Sequence, residues 1–205
     1  GQRLCQTDFT KMRFAVIPGH DDIKRRLVEM ADTARLPHAL LLEGPSGTGK
    51  FMLARALAQY IHCENPSHGD CCATCPSCRQ HETFNHIDTV FSYPVVKKAG
   101  KPAVSADYLP EFKSLLTEHP FMDPEQWVSL LQAGNTQPKI YVDEGAELTR
   151  RLNFRAHQSR YKIVLLWLPE KMNEDTANKM LKIIEEPHDD TLFLLISNNP
   201  RQILP

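Results

Sequence analysis

Two clusters of chemically capable residues lie close together in the first half of the chain. The first, Gly44-Pro45-Ser46-Gly47-Thr48-Gly49-Lys50, has the spacing of a phosphate-binding loop. Glycines at those positions let backbone N–H groups curl around phosphate oxygens, a helix N-terminus adds partial positive charge, and Lys50 reaches toward the terminal phosphates. A mere flexible turn would not require a lysine at the start of the following helix. The next residue departs from the pattern, because Phe51 stands where a Ser or Thr hydroxyl would ligate Mg²⁺. A later apolar strand should end in an acidic pair that holds the metal and orients the attacking water, yet Leu165-Leu166 runs into Trp167-Leu168-Pro169, and Glu170 falls past the strand end. Removing one preorganised group commonly costs about 10² to 10³ in rate, so no useful ATP hydrolysis is expected. The cradle itself, Gly44, Gly47, Thr48, Gly49 and Lys50 with Phe51 beside it, is expected to bind ATP or ADP weakly.

The second cluster is made of cysteines. Five of the six fall between Cys63 and Cys78, while Cys5 stands alone. Cys63 is followed after eight residues by Cys72, then after two by Cys75 and after two more by Cys78. Two CxxC turns sharing Cys75 bring three sulfurs to one ion, and Cys63 at the end of a helix closes a tetrahedral Zn²⁺ site. Four closed ligands mean a structural role. A reducing intracellular setting makes disulfides the poorer reading. Cys71 competes with Cys72 as a ligand on spacing alone. His62, His68 and His81 flank the cluster and read as surface histidines.

Along the chain, the periodicity predicts helices and strands that would position both clusters. Asp21–Ala34 is a helix, with Asp21 or Asp22 as its N-cap. Ala39–Leu42 is a strand buried on both faces, and Phe51–Ile61 is the helix after the loop. Ile87–Phe91 is a second strand. The basic stretch Lys97–Pro102 opens an insertion bearing Tyr108, Leu109, Phe112, Leu115 and Leu116 on one helix and Trp127, Leu130 and Leu131 on another, the second begun by Asp123 and Pro124. Core packing is the ordinary reading of these aromatics. A helix around Ala146, Leu148 and Leu152 is weakened by Gly145. A strand over Tyr161–Leu168 follows, then a helix capped by Asn173 and stopped by Pro187, then a strand over Leu192–Ser197. Alternating strands and helices argue for an α/β fold with a parallel sheet.

The 205 residues exceed one average domain slightly, so the chain reads as one domain carrying an insertion. Lys plus Arg is 24 against 25 for Asp plus Glu, and a net charge of -1 supplies no bulk attraction to DNA or to anionic membrane. Apolar runs such as Ile163–Leu168 fall far short of the about 20 residues that cross a bilayer, so a soluble, cytoplasmic protein is expected. The ends at Gly1 and Pro205 read as those of a cut fragment, expected to be monomeric by itself.

The phosphate loop, the cysteine spacing and the run Ala177-Asn178-Lys179-Met180-Leu181-Lys182-Ile183-Ile184-Glu185-Glu186-Pro187 together resemble the AAA+ domain of bacterial clamp-loader subunits. Arg35-Leu36-Pro37-His38-Ala39 and Ile17-Pro18-Gly19-His20 are similar to that family's opening motifs. The resemblance covers about Phe14 to Pro205 and is interrupted by roughly 97–138, the helical insertion. It implies an AAA+ P-loop fold over 1–205, with a parallel sheet flanked by helices and a small four-cysteine zinc module at 62–80. Loss of the Mg²⁺-ligating hydroxyl and both acids sets the chain apart from the ATP-hydrolysing tau/gamma subunit and makes it similar to a non-hydrolysing, stator-like subunit of the DNA polymerase III clamp loader. The resemblance further implies tau/gamma and delta subunits as partners, and the sliding clamp and primed DNA through the assembled complex. It places Asn198 at a sensor position facing a γ-phosphate, and an arginine finger, linker and collar domains after Pro205. Two alternatives compete: an active tau/gamma-type ATPase using Glu170, and a zinc-dependent nucleic-acid-binding module. Arg79 is the only Lys or Arg between Cys63 and Thr83, which speaks against the latter.

Overall fold

Alternate residues of the two central strands point into two different cores, and this alternation organises the molecule. A computed structural model describes residues 11–154, 156–186 and 190–203. Four strands, β1 (Ala39–Glu43), β2 (Thr89–Ser92), β3 (Lys162–Trp167) and β4 (Thr191–Ser197), form one parallel sheet in the order β1-β4-β3-β2. Ile163, Leu165 and Trp167 of β3, with Leu192, Leu194 and Ile196 of β4, join the larger core; Val164, Leu166 and Phe193 join the smaller one on the opposite face.

The larger core is covered by α1 (Asp21–Asp32), α2 (Lys50–His62) and the insertion helices α4 (Leu109–Glu118) and α5 (Pro124–Leu130). The smaller one is covered by α6 (Val142–Leu152) and α7 (Glu174–Glu185). A short helix, α3 (Pro76–Glu82), follows the cysteine turns. Gly145, unfavourable within α6 by propensity, makes room for the Lys179 side chain of α7, whose Cδ would lie 3.1 Å from a Cβ there. The expected helical hairpin forms, with the Asp123 carboxylate accepting from Glu125 N at 3.0 Å to begin α5. Asn173 Oδ1 accepts from Thr176 N at 2.9 Å and begins α7. Pro187, expected to stop α7, lies outside the described residues.

Two local expectations are corrected. His20, in a left-handed conformation, is the N-cap of α1, while Asp21 and Asp22 fall in its first turn where their charge favours the helix end. β1 is not buried on both faces: it is the last strand of the described sheet, and Leu41 is 45% exposed. An uninterrupted apolar run cannot distinguish a central strand from an edge strand that is half covered.

Candidate functional site

Helix α2 is buried almost all round and carries one candidate site at each end. At its N-terminus, Gly47 and Gly49 adopt φ of 76° and 81°, values that side chains resist, and this lets the loop turn sharply into the helix. The loop is tied together from within. Thr48 Oγ1 donates to Pro45 O at 3.0 Å, and the Lys50 ammonium donates to Pro45 O at 2.5 Å and to Thr48 Oγ1 at 3.4 Å. His20 Nε2 lies 2.8 Å from Thr48 O. Burial lowers the Lys50 pKa from its ordinary value, opposed by the charge of Glu170.

Phe51 is 2% exposed and sits among rings rather than ligands. Its centroid is 5.9 Å from Phe112 of the insertion and 6.4 Å from both Phe91 and Trp167. Tyr93 stacks on Phe112 at 3.7 Å, and Trp127 Nε1 donates to Pro94 O at 2.7 Å. Phe51 and Trp167, the positions where the sequence pattern leads one to expect metal ligands, thus form the aromatic seat on which the insertion packs. Glu170 accepts from Ser197 Oγ and Asn198 N, both at 2.9 Å, and from Asn199 N at 3.2 Å. Its carboxylate fastens the turn after β4. Asn198 lies with Gly47, Gly49, Lys50 and Phe51 around one small space, while Gly44 and Thr48 build the loop behind it.

At the other end, Cys63 closes α2, Cys75 is the N-cap of α3 and Cys78 lies in its first turn. The Sγ atoms of Cys63, Cys72, Cys75 and Cys78 all lie within 4.8 Å of one another, with Cys72 and Cys78 4.0 Å apart. Sulfurs about 2.3 Å from one tetrahedral zinc stand about 3.8 Å from each other, so the donor set fits the ion in number, type and spacing. Backbone N–H groups already point at the sulfurs: Cys72 N donates to Cys63 Sγ at 3.2 Å, Cys75 N to Cys72 Sγ at 3.4 Å and Cys78 N to Cys75 Sγ at 3.5 Å. As a free thiol, Cys72 is pulled down to about 6, chiefly by the Thr74 N–H, whereas burial pushes Cys63 up to about 12. Cys71 stands outside this group, its Sγ 3.8 Å from Met12 O. Beside it, the Asp70 carboxylate accepts from Phe14 N, Ala15 N and Cys71 N and pins the module to the chain's early segment.

The reading of His62 and His81 as surface residues is overturned. They are 4% and 8% exposed and join His86, 4% exposed, in a buried cluster, while His68 is exposed. The ring nitrogens lie close enough to suggest a second metal site, but ring geometry argues otherwise. His86 stacks on His62 and His81 with interplanar angles of 16° and 25°, whereas imidazoles sharing a metal radiate from it. Hydrogen bonds assign neutral tautomers: His62 Nε2–H donates to Tyr161 O at 2.8 Å, leaving Nδ1 to accept from His81 Nε2 at 2.9 Å. His86 Nδ1 accepts from Asp88 N at 3.2 Å, leaving Nε2–H to donate to Ser77 Oγ at 3.0 Å. Burial and the neighbouring His86 hold His62 down to about 3. The stack is a polar joint between the cysteine module and the sheet. No signal in the sequence assembles it, because its members come from α2, α3 and the approach to β2.

The sequence model of the family described as "DNA polymerase III, delta subunit" matches residues 19–205. The DNA polymerase III subunit delta' of Pseudomonas aeruginosa is 29% identical over 177 residues, covering 86% of this chain and 42% of that protein. The delta' subunit of Bacillus subtilis is 26% identical, covering 89% of this chain and 43% of that protein. The gamma/tau subunit of Mycobacterium bovis is 26% identical over 94% of this chain and 26% of its own length. The chain therefore spans less than half the length of these relatives. A crystal structure of a DNA polymerase III gamma subunit-related protein from Thermotoga maritima aligns with a TM-score of 0.50 at 15% identity, covering 89% of this chain and 41% of that one, and shares the fold.

Proposed function

Because the chain belongs to the DNA polymerase III delta-subunit family, with delta' and gamma/tau clamp-loader subunits among its relatives, we propose that it works as a non-catalytic, stator-like delta' subunit of the bacterial clamp loader. In that role it supports ATP-driven loading of the sliding clamp during DNA replication without turning over ATP itself. The observation that carries the reading is Phe51, buried among aromatic rings where a hydroxyl would hold magnesium. Trp167 in place of a strand-end acid supports it. Glu170, the carboxylate that the ATPase alternative would recruit, is committed to the turn after β4, which argues against that alternative. Tau/gamma and delta subunits are the proposed partners, with the clamp and primed DNA met through the assembled ring in the cytoplasm.

Cys63, Cys72, Cys75 and Cys78 are proposed to hold one Zn²⁺, which would tie α3 and its preceding turns to the C-terminus of α2. Zinc in that position supplies folding free energy and no reaction step. The nucleic-acid-binding alternative gains nothing from a module so poor in basic residues.

The test is reconstitution of clamp loading from the full-length protein with tau/gamma and delta subunits of the same organism, alongside phosphate release by the full-length protein alone. Association in gel filtration, support of loading and no phosphate release above background are expected. Failure to associate, or turnover that disappears in Lys50→Ala, overturns the reading.

A further inference from the structure

The insertion reaches beyond its aromatic seat. Helices α4 and α5 are joined by His119–Asp123, and this connection lies directly against the phosphate loop. The space beside Lys50 is about 10 Å³, walled by Gly47 and Gly49 of the loop, Phe121 and Met122 of the connection, and Trp167 and Asn198 at the strand ends. That is room for about one water molecule, and a phosphoryl group does not fit. Met122 is 3% exposed and belongs to the larger core, so the connection is anchored there, while the neighbouring Phe121, which walls the space, stays 41% exposed. The φ of 59° at Met122 is a conformation that a residue with a side chain keeps only when its surroundings hold it. Met122 N donates to His119 O at 2.9 Å, closing the turn.

Two further features agree. The Lys50 ammonium is satisfied within the loop by Pro45 O and Thr48 Oγ1, so its charge is turned inward. The wider cleft outside, about 510 Å³ between Ser46 and Gly47 on one side and the connection on the other, is lined by Glu118, Asp123 and Glu125, a charge that repels polyphosphate.

We propose that the α4–α5 connection is an intramolecular plug, which fills the volume where the loop would hold the β- and γ-phosphates and excludes nucleoside di- and triphosphates. The sequence leaves room for weak ATP or ADP binding; the plug removes it. Phe51 and Trp167 then have a positive role, since a hydroxyl and a carboxylate in their places would take away two walls of the seat that holds Phe112 and, through it, the plug. The connection braces the loop against the ends of β3 and β4, the contact that bound phosphates provide in a working site. This inference deepens the non-catalytic reading of the same loop and makes a separate claim about occupancy.

The experiment is calorimetric titration of the full-length protein with Mg-ATP, ADP and inorganic triphosphate. It compares wild type, Phe121→Ala and Phe121→Ala/Met122→Gly, glycine being suited to the positive φ. Wild type is expected to give no Lys50-dependent binding at millimolar ligand. The double variant, folded by circular dichroism, should bind triphosphate at least about tenfold more tightly than wild type and lose that gain with Lys50→Ala. Folded plug variants that bind no better than wild type overturn the proposal. Hydrogen exchange on wild type supplies a check that needs no variant: amides of 44–50 should be protected, and excess ADP should leave them unchanged. Further protection by ADP overturns the plug. Tight binding without turnover overturns the plug and leaves the non-catalytic reading standing, whereas turnover ends both.

Discussion

The two ends of α2 begin from similar material, a tight turn rich in backbone N–H groups abutting a helix, and differ in where their chemistry comes from. At the C-terminal end, all four sulfurs are supplied by the sixteen residues from Cys63 to Cys78, and the same short stretch supplies N–H groups aimed at them. At the N-terminal end, a working phosphate site would need the loop, the end of β3 and the end of β4 together. Here Phe51 and Trp167 lie in the core and the α4–α5 connection lies against the loop. A site built from one local segment keeps its donors when its surroundings change. One assembled from distant segments can be refilled by packing, because each contributor can turn apolar without disturbing the backbone of the others.

The largest expected effect lies at the cysteine end. Cys78→Ser, at a side chain with no exposure, should lose the metal and cost at least about 4 kcal/mol, because the binding free energy of a structural zinc is folding free energy. Metal analysis of unchelated wild type should give one zinc per chain; much less than one abolishes the contrast between the two ends. At the phosphate-loop end, Phe51→Thr restores the missing hydroxyl on paper. It should cost about 3 kcal/mol by emptying the centre of the aromatic cluster and should yield no magnesium-dependent ATP hydrolysis. A urea midpoint and a phosphate-release assay read the two parts separately, and hydrolysis in this variant would mean that the distant contributors are still in place.

A smaller effect belongs to the polar joint. Burial is the main cause that lowers the His81 and His86 pKa values below the ordinary one, so the unfolded chain takes up protons first. The stability these rings contribute is present above about pH 6.5 and is lost as the pH falls below it. Urea midpoints between pH 7.5 and pH 5.5 should fall accordingly, and His86→Gln should make the slope shallower while zinc content, followed in parallel, is unchanged. An identical slope in the variant would place the acid sensitivity elsewhere. The smallest effect lies between the two ends: Tyr60→Phe removes a hydrogen bond of 2.6 Å to Asp32 Oδ1 and should cost about 1 kcal/mol without altering zinc content or nucleotide exclusion. A change in either would show that the ends of α2 are coupled.

Read from the amino-acid sequence alone, the α/β alternation, the loop-to-helix junction at Lys50, the caps at Asp123 and Asn173 and the convergence of four cysteines were all accessible. Each depends on neighbours within a few turns of chain, and short-range sterics, capping and CxxC geometry determine such features. The same local logic shows that Phe51 cannot ligate magnesium. Tertiary structure alone decided that β1 is half exposed, that His62, His81 and His86 stack in the interior, and that Cys72 rather than Cys71 completes the set of four mutually close sulfurs. It also decided what packs around Phe51 and Trp167. Phe112 and Met122 carry nothing in their own surroundings that points to residues far earlier in the chain. Their places are set by competition for buried apolar volume across the whole sheet, a non-directional force that leaves no local mark in the chain.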